Sequence, residues 1–101
     1  GIDCELVDLL SIKPMDTATI VESVTRTGRC VVVHEGPRTC GIAAEIVARI
    51  NEHAFEYLIA PIRRVTGYDI HFPYFQCEEH YLPDSDAIVE SVQETMAFDA
   101  G

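Results

Sequence analysis

Positive charge is scarce in this 101-residue chain: seven Lys and Arg stand against 17 Asp and Glu, a formal net charge of −10. A surface of that sign repels phosphate, which argues against nucleic acid and anionic membrane as partners. It suits a basic protein partner, or a solvated acidic surface with no partner at all. Long apolar runs are also missing. None nears the roughly 18 residues that a membrane helix needs. The N-terminus shows no signal peptide and no initiator Met, so the chain reads as a processed product or an excised piece. Cysteines are few and widely spaced at Cys4, Cys30, Cys40 and Cys77, with no C-x-x-C. We expect buried free thiols and a reducing compartment, a cytoplasm or a mitochondrial matrix.

The motifs of several chemistries are absent too. No serine sits in a G-x-S-x-G elbow, and neither a Walker Lys-Ser/Thr pair nor G-x-G-x-x-G spacing occurs. Cys77, Glu78, Glu79 and His80 put soft and hard ligands close together, but a structural zinc wants four such ligands in paired clusters, and only His71 is near. His34 has no nucleophile to serve, so a hydrogen-bonded structural role outweighs general acid–base work. We therefore expect no catalytic, metal or cofactor residue in this chain.

Hydrophobic residues make up 48% of the sequence, enough for one core in one domain. Residues 4–10 read as a strand, stopped by Lys13-Pro14. Asp16 is placed to cap a helix over 17–27, with Ile20, Val21 and Val24 as its stripe and Gly28 just past its end. Residues 30–34 are an apolar run that suits a parallel strand. The loop 35–41 feeds a helix over 42–57, in which Ile42, Ile46, Ile50 and Ala54 recur at i+4 and Glu45 pairs with Arg49. Residues 62–66 form a third strand, which Arg63 and Arg64 place near a sheet edge. A long irregular stretch over 67–82 holds Tyr68, Phe72, Tyr74, Phe75 and Tyr81, either a lid on the core or an interface anchor. Asp84 caps a last helix over 85–98 with Ile88, Val89, Val92 and Met96 inward. This order predicts an α/β domain with a mostly parallel sheet and helices on both faces. Ligands of such sheets bind beyond the carboxyl ends of the strands, here the loops 13–16, 35–41 and 67–73.

Four segments carry a resemblance when taken together. They are Val7-Asp8-Leu9 through Lys13-Pro14-Met15-Asp16; Thr27-Gly28-Arg29 through Val33-His34-Glu35-Gly36-Pro37-Arg38-Thr39; Ala44-Glu45-Ile46 through Ala60-Pro61; and Arg64-Val65-Thr66-Gly67-Tyr68-Asp69 with Phe72-Pro73 and Tyr81-Leu82-Pro83. Their order and spacing resemble the C-terminal domain of the beta subunit of 2-oxo acid dehydrogenases, a domain shared with transketolase. The resemblance implies a three-layer α/β/α domain, transketolase C-terminal domain-like. The parent enzyme would use thiamine diphosphate and magnesium for oxidative decarboxylation of a 2-oxo acid, with acyl transfer to a lipoyl group. In that family the cofactor lies on other domains, and this one holds the assembly together.

The implied partners are an alpha subunit, a second beta subunit and the small basic peripheral domain of the acyltransferase core. The expected contact residues are Glu35, Arg38, Tyr68, Phe72, Glu90 and Glu94. The family carries Gly where this chain has Cys40. It also has a strand upstream of Gly1 that lies inside the sheet, so this chain would lack it and expose unpaired edges. Two other readings compete. One is a stand-alone module that binds a nucleotide or small anion at the 35–41 loop; the other is a different enzyme of the transketolase superfamily.

Overall fold

A computed structural model describes residues 1–67 and 84–98. Helix α1 (Thr17–Thr27) begins where expected, because Asp16 accepts from the Thr19 amide at 3.1 Å and from its hydroxyl at 2.7 Å. These two bonds hold the Asp16 carboxyl below its ordinary range. Gly28 ends the helix with φ 75 and returns its N–H to the Val24 carbonyl at 2.7 Å. A Cβ there would lie 3.1 Å from Ile59 and 3.2 Å from the Tyr57 carbonyl, so glycine serves both the turn and the packing.

Strand β1 (Val31–Pro37) leads to helix α2 (Ile42–Ala54), a 3-10 turn (Phe55–Tyr57), strand β2 (Arg63–Gly67) and helix α3 (Ser85–Ala97). The two strands pair in parallel, with Val31, Val32 and Val33 opposite Arg63, Arg64 and Val65. After Val33 the register slips. β1 spends four residues reaching Pro37 while β2 spends two reaching Gly67, a bulge that lies beside the 35–41 loop.

Strand alternation sorts the helices to the two faces. Val32 points into a core cluster with Ile20 and Val24 of α1 and Ala43, Ile46, Ile50 and Ala54 of α2. Arg63, one residue out of phase, meets Glu94 of α3 at 3.4 Å. The result is an α/β domain with helices above and below a parallel sheet. The expected Glu45–Arg49 pair forms at 2.7 Å, and Arg49 also donates to Thr17 Oγ1 at 2.8 Å, tying α2 to α1.

Three expectations need correction. Residues 4–10 are not a strand. Their alternation is real, since Val7 and Leu9 lean on the core while Leu6 and Leu10 are 91% and 93% exposed. Side-chain period sets an extended backbone, but a strand also needs a ladder partner, and β1 pairs only with β2 among the described residues. The inward face of α3 is also rotated. Val89 and Met96 are exposed, and Thr95 is buried instead, its carbonyl accepting from Arg29 Nε at 2.9 Å. Finally, Cys4 and Cys40 are exposed free thiols. Among the described cysteines only Cys30 behaves as foreseen, with burial pushing its thiol up to about 11; Cys77 lies outside the described residues.

Candidate functional site

Strand β1 runs three residues into the segment 35–41 that was expected to be all loop, and where its carboxyl end meets that of β2 two arginines exchange backbone contacts. Arg38 Nη1 donates to the Arg64 carbonyl at 3.2 Å, and Arg64 Nη1 donates to the Arg38 carbonyl at 2.9 Å. The loop is thereby clipped to β2. The Arg38 guanidinium, foreseen as a contact residue, is spent in part on this clip. Glu35 and Arg38 are both exposed on this edge. Arg64 was legible only as a mark of a sheet edge.

His34 is the loop's internal support. Its Nδ1 accepts the Gly36 N–H at 2.9 Å, which is the structural role foreseen for it. Burial, and after it the Arg64 cation, hold its basicity below the ordinary histidine value. Cys40 takes φ 60, the left-handed region that costs a side chain with a Cβ about 1–2 kcal/mol. A Gly, which the resemblance leads one to expect at this position, would be favoured there on backbone grounds. Cys40→Gly should raise stability by about 1 kcal/mol, the relief of strain exceeding the extra freedom of the unfolded chain. Cys40→Ala, which removes the thiol and keeps the strain, should leave the urea midpoint unchanged. Equal midpoints for the two variants would refute the assignment.

Helix α2 starts without a side-chain cap at Gly41. A Cβ built on Gly41 falls 2.0 Å from the Pro37 carbonyl oxygen and about 3 Å from the His34 ring. A carbonyl oxygen and an imidazole therefore fill the space beside this helix start, where a phosphate cradle would need converging donors. The anion-binding reading gains no support from this packing. Nor do the described residues bring three or more His, Cys, Asp or Glu together to hold a metal ion. The donor set for a magnesium–diphosphate group does not assemble among them.

The second group of foreseen contact residues lies on α3. Glu90 is exposed, and Glu94 is half-exposed in its ion pair with Arg63. Asp84, which accepts the Ala87 N–H at 2.7 Å, and Asp86 add to a helix with no base in its last turn. Val89 and Met96 are 53% and 46% exposed beside these acids. Tyr68 and Phe72 lie outside the described residues, as do Cys77 and its neighbours. At the other end of the fold Arg26 grips both Glu5 and Glu22, and its hydrogen bond holds the Glu5 carboxyl below its ordinary range. No described helix is long and apolar enough to cross a membrane.

The family profile of the transketolase C-terminal domain matches residues 1–88. The chain is 52% identical over 98 residues to 2-oxoisovalerate dehydrogenase subunit beta, mitochondrial, of Dictyostelium discoideum, covering 97% of this chain and 26% of that protein. It is 52% identical over 83 residues to 2-oxoisovalerate dehydrogenase subunit beta of Pseudomonas aeruginosa, covering 82% and 23%. It is 43% identical over 98 residues to pyruvate dehydrogenase E1 component subunit beta of Staphylococcus aureus, covering 97% and 30%. The chain thus spans about a quarter of the length of the curated relatives it matches. It belongs to the transketolase C-terminal domain family, in the form that beta subunits of 2-oxo acid dehydrogenases carry.

Proposed function

We propose that this chain is the assembly domain of a thiamine-diphosphate-dependent 2-oxo acid dehydrogenase. The parent reaction is oxidative decarboxylation of a 2-oxo acid with acyl transfer to a lipoyl group. In this reading thiamine diphosphate and magnesium are held by other domains, and this domain presents surface to an alpha subunit, a second beta subunit and the basic peripheral domain of the acyltransferase core. The compartment is a bacterial or archaeal cytoplasm or the mitochondrial matrix. Glu35, Arg38, Tyr68, Phe72, Glu90 and Glu94 are the proposed contact residues.

The observation that carries the proposal is the outer surface of α3. Exposed apolar side chains (Val89 and Met96) lie on the same helix as uncompensated acids, with a net charge of −10 behind them. Apolar contact ringed by one sign of charge is the anatomy of a docking surface for a basic protein. Glu90 is the residue to test, because Glu94 is already engaged by Arg63. Glu90→Lys should weaken binding of the basic peripheral domain by about tenfold at low salt, and by less as salt screens the contact. Calorimetry at two ionic strengths reads this. Wild-type affinity in the variant, or no binding by the wild type, would overturn the partner assignment.

A further inference from the structure

Loop 35–41 is folded around one imidazole. The Gly36 N–H donates to His34 Nδ1 at 2.9 Å. A Cβ on Gly36 would stand 2.7 Å from His34 Cε1, and a Cβ on Gly41 would stand 2.9 Å from Cε1 and 3.0 Å from Nε2. The ring is therefore wedged between two stretches of backbone that only glycine allows so close. This is also where β1 slips its register against β2. Because Nδ1 accepts, the neutral ring carries its hydrogen on Nε2. That Nε2 is buried and has no partner among the described residues.

The charges around the ring are of one kind. Arg64 approaches from β2, its Nη1 held by the Arg38 backbone carbonyl. The start of α2 presents the positive end of its dipole. The acids nearby in sequence or on the packed helices are otherwise placed: Glu35 is exposed on the strand, Glu45 of α2 is held by Arg49, and Glu94 of α3 by Arg63.

We propose that His34 is a proton-sensitive latch, whose protonation releases loop 35–41 and the first turn of α2 from the sheet. A proton on Nδ1 turns the acceptor of the Gly36 N–H into a second donor facing it, so that bond is lost. The new cation has Arg64 beside it, and among the described residues no carboxylate is ion-paired with the ring. The latch would change how Glu35 and Arg38 are presented, but it is a property of this loop and stands whether or not those residues meet a partner.

The direction with pH follows from the lowered basicity of His34 in the fold. The unfolded chain takes up this proton near pH 6.5 or so, and the folded chain resists it. The stabilisation from His34 is therefore complete above about pH 6.5, and it is lost as pH falls from there toward the lower folded value.

Amide exchange of this 101-residue chain, with ring nitrogen shifts to report the tautomer, tests the latch. At about pH 7.5 the shifts should show hydrogen on Nε2 and none on Nδ1. Between about pH 7.5 and 5, protection of the Gly36 and Ala44 amides, corrected for intrinsic rates, should fall by about tenfold or more, while α1 amides keep theirs. His34→Asn puts a non-titrating oxygen in place of Nδ1, so protection there should not change across the same range. Hydrogen on Nδ1 at neutral pH, or pH-independent protection of Gly36 in the wild type, overturns the proposal. So does an equal loss in wild type and His34→Asn. If His34→Asn does not fold, the wild-type tautomer and exchange data decide the matter alone.

Discussion

Ile50→Ala is expected to destabilise the domain by about 3–4 kcal/mol, read as a fall in the urea midpoint at constant slope. Among the described residues Ile50 is the largest fully buried side chain, 0% exposed, on the face of α2 that packs with α1 and under Val32 of β1. The substitution deletes three carbons where three elements converge. The cost is the lost transfer energy plus the cavity that a helix pinned by Arg49 to Thr17 cannot collapse into. Ala is the better helix former, which returns at most about 0.7 kcal/mol. Packing therefore wins by a wide margin. A domain of this size has roughly 5–15 kcal/mol in hand, so the variant loses a large share of it. Ile50→Val should cost only about 0.5–1.5 kcal/mol. Leu6→Ala, at a residue 91% exposed, should stay within about 0.5 kcal/mol. If Leu6→Ala proved as harmful as Ile50→Ala, the N-terminal segment would be packed in solution in a way this fold does not show.

What could be read from the residues was local. Helix α1 was legible to both ends because its signals are local: an Asp that bonds the third amide and a Gly at a left-handed position. The stripe Ile46, Ile50, Ala54 gave α2 its buried face, since 3.6-residue periodicity is itself a statement about one face. The parallel pairing of β1 with β2 followed from a helix connecting two short strand-like segments. The failures were all of partnership. Residues 4–10 show strand alternation, but alternation does not name the strand that completes a ladder. Met96 and Thr95 are both compatible with the α3 pattern, and what turns the helix is polar, through Arg29 reaching the Thr95 carbonyl and Arg63 reaching Glu94. In the candidate site, Glu35, Arg38 and Glu90 are exposed, but the Arg38–Arg64 clip was not readable, because it uses backbone carbonyls that every residue has. The bulge at His34 was equally hidden. Its only trace in the sequence is the pair Gly36 and Gly41 flanking one loop.

Gly41→Ala should be the costliest single change in that loop, at about 3 kcal/mol or more. By composition alone the opposite sign is expected. Gly41 has φ −82 and ψ 166, which alanine adopts without strain, and removing a glycine ordinarily stabilises by about 0.4–1 kcal/mol through the unfolded state. Contact decides against it. The added Cβ would lie 2.0 Å from the Pro37 carbonyl oxygen, far inside van der Waals contact, and that oxygen is backbone. It can move only if the loop and the start of α2 separate, which surrenders the Gly36–His34 bond and the Arg38–Arg64 clip together. Gly36→Ala is the informative contrast, because its added Cβ meets only the His34 ring, a side chain, and no backbone atom. It should cost less, about 1–2 kcal/mol. The double variant His34→Ala/Gly41→Ala separates the two obstacles at Gly41. Removing the ring clears the contacts near 3 Å and leaves the 2.0 Å contact in place, so the double variant should remain at least as unstable as Gly41→Ala alone. Recovery of stability in the double variant would show that the imidazole, and not the Pro37 carbonyl, fixes how closely the loop approaches α2.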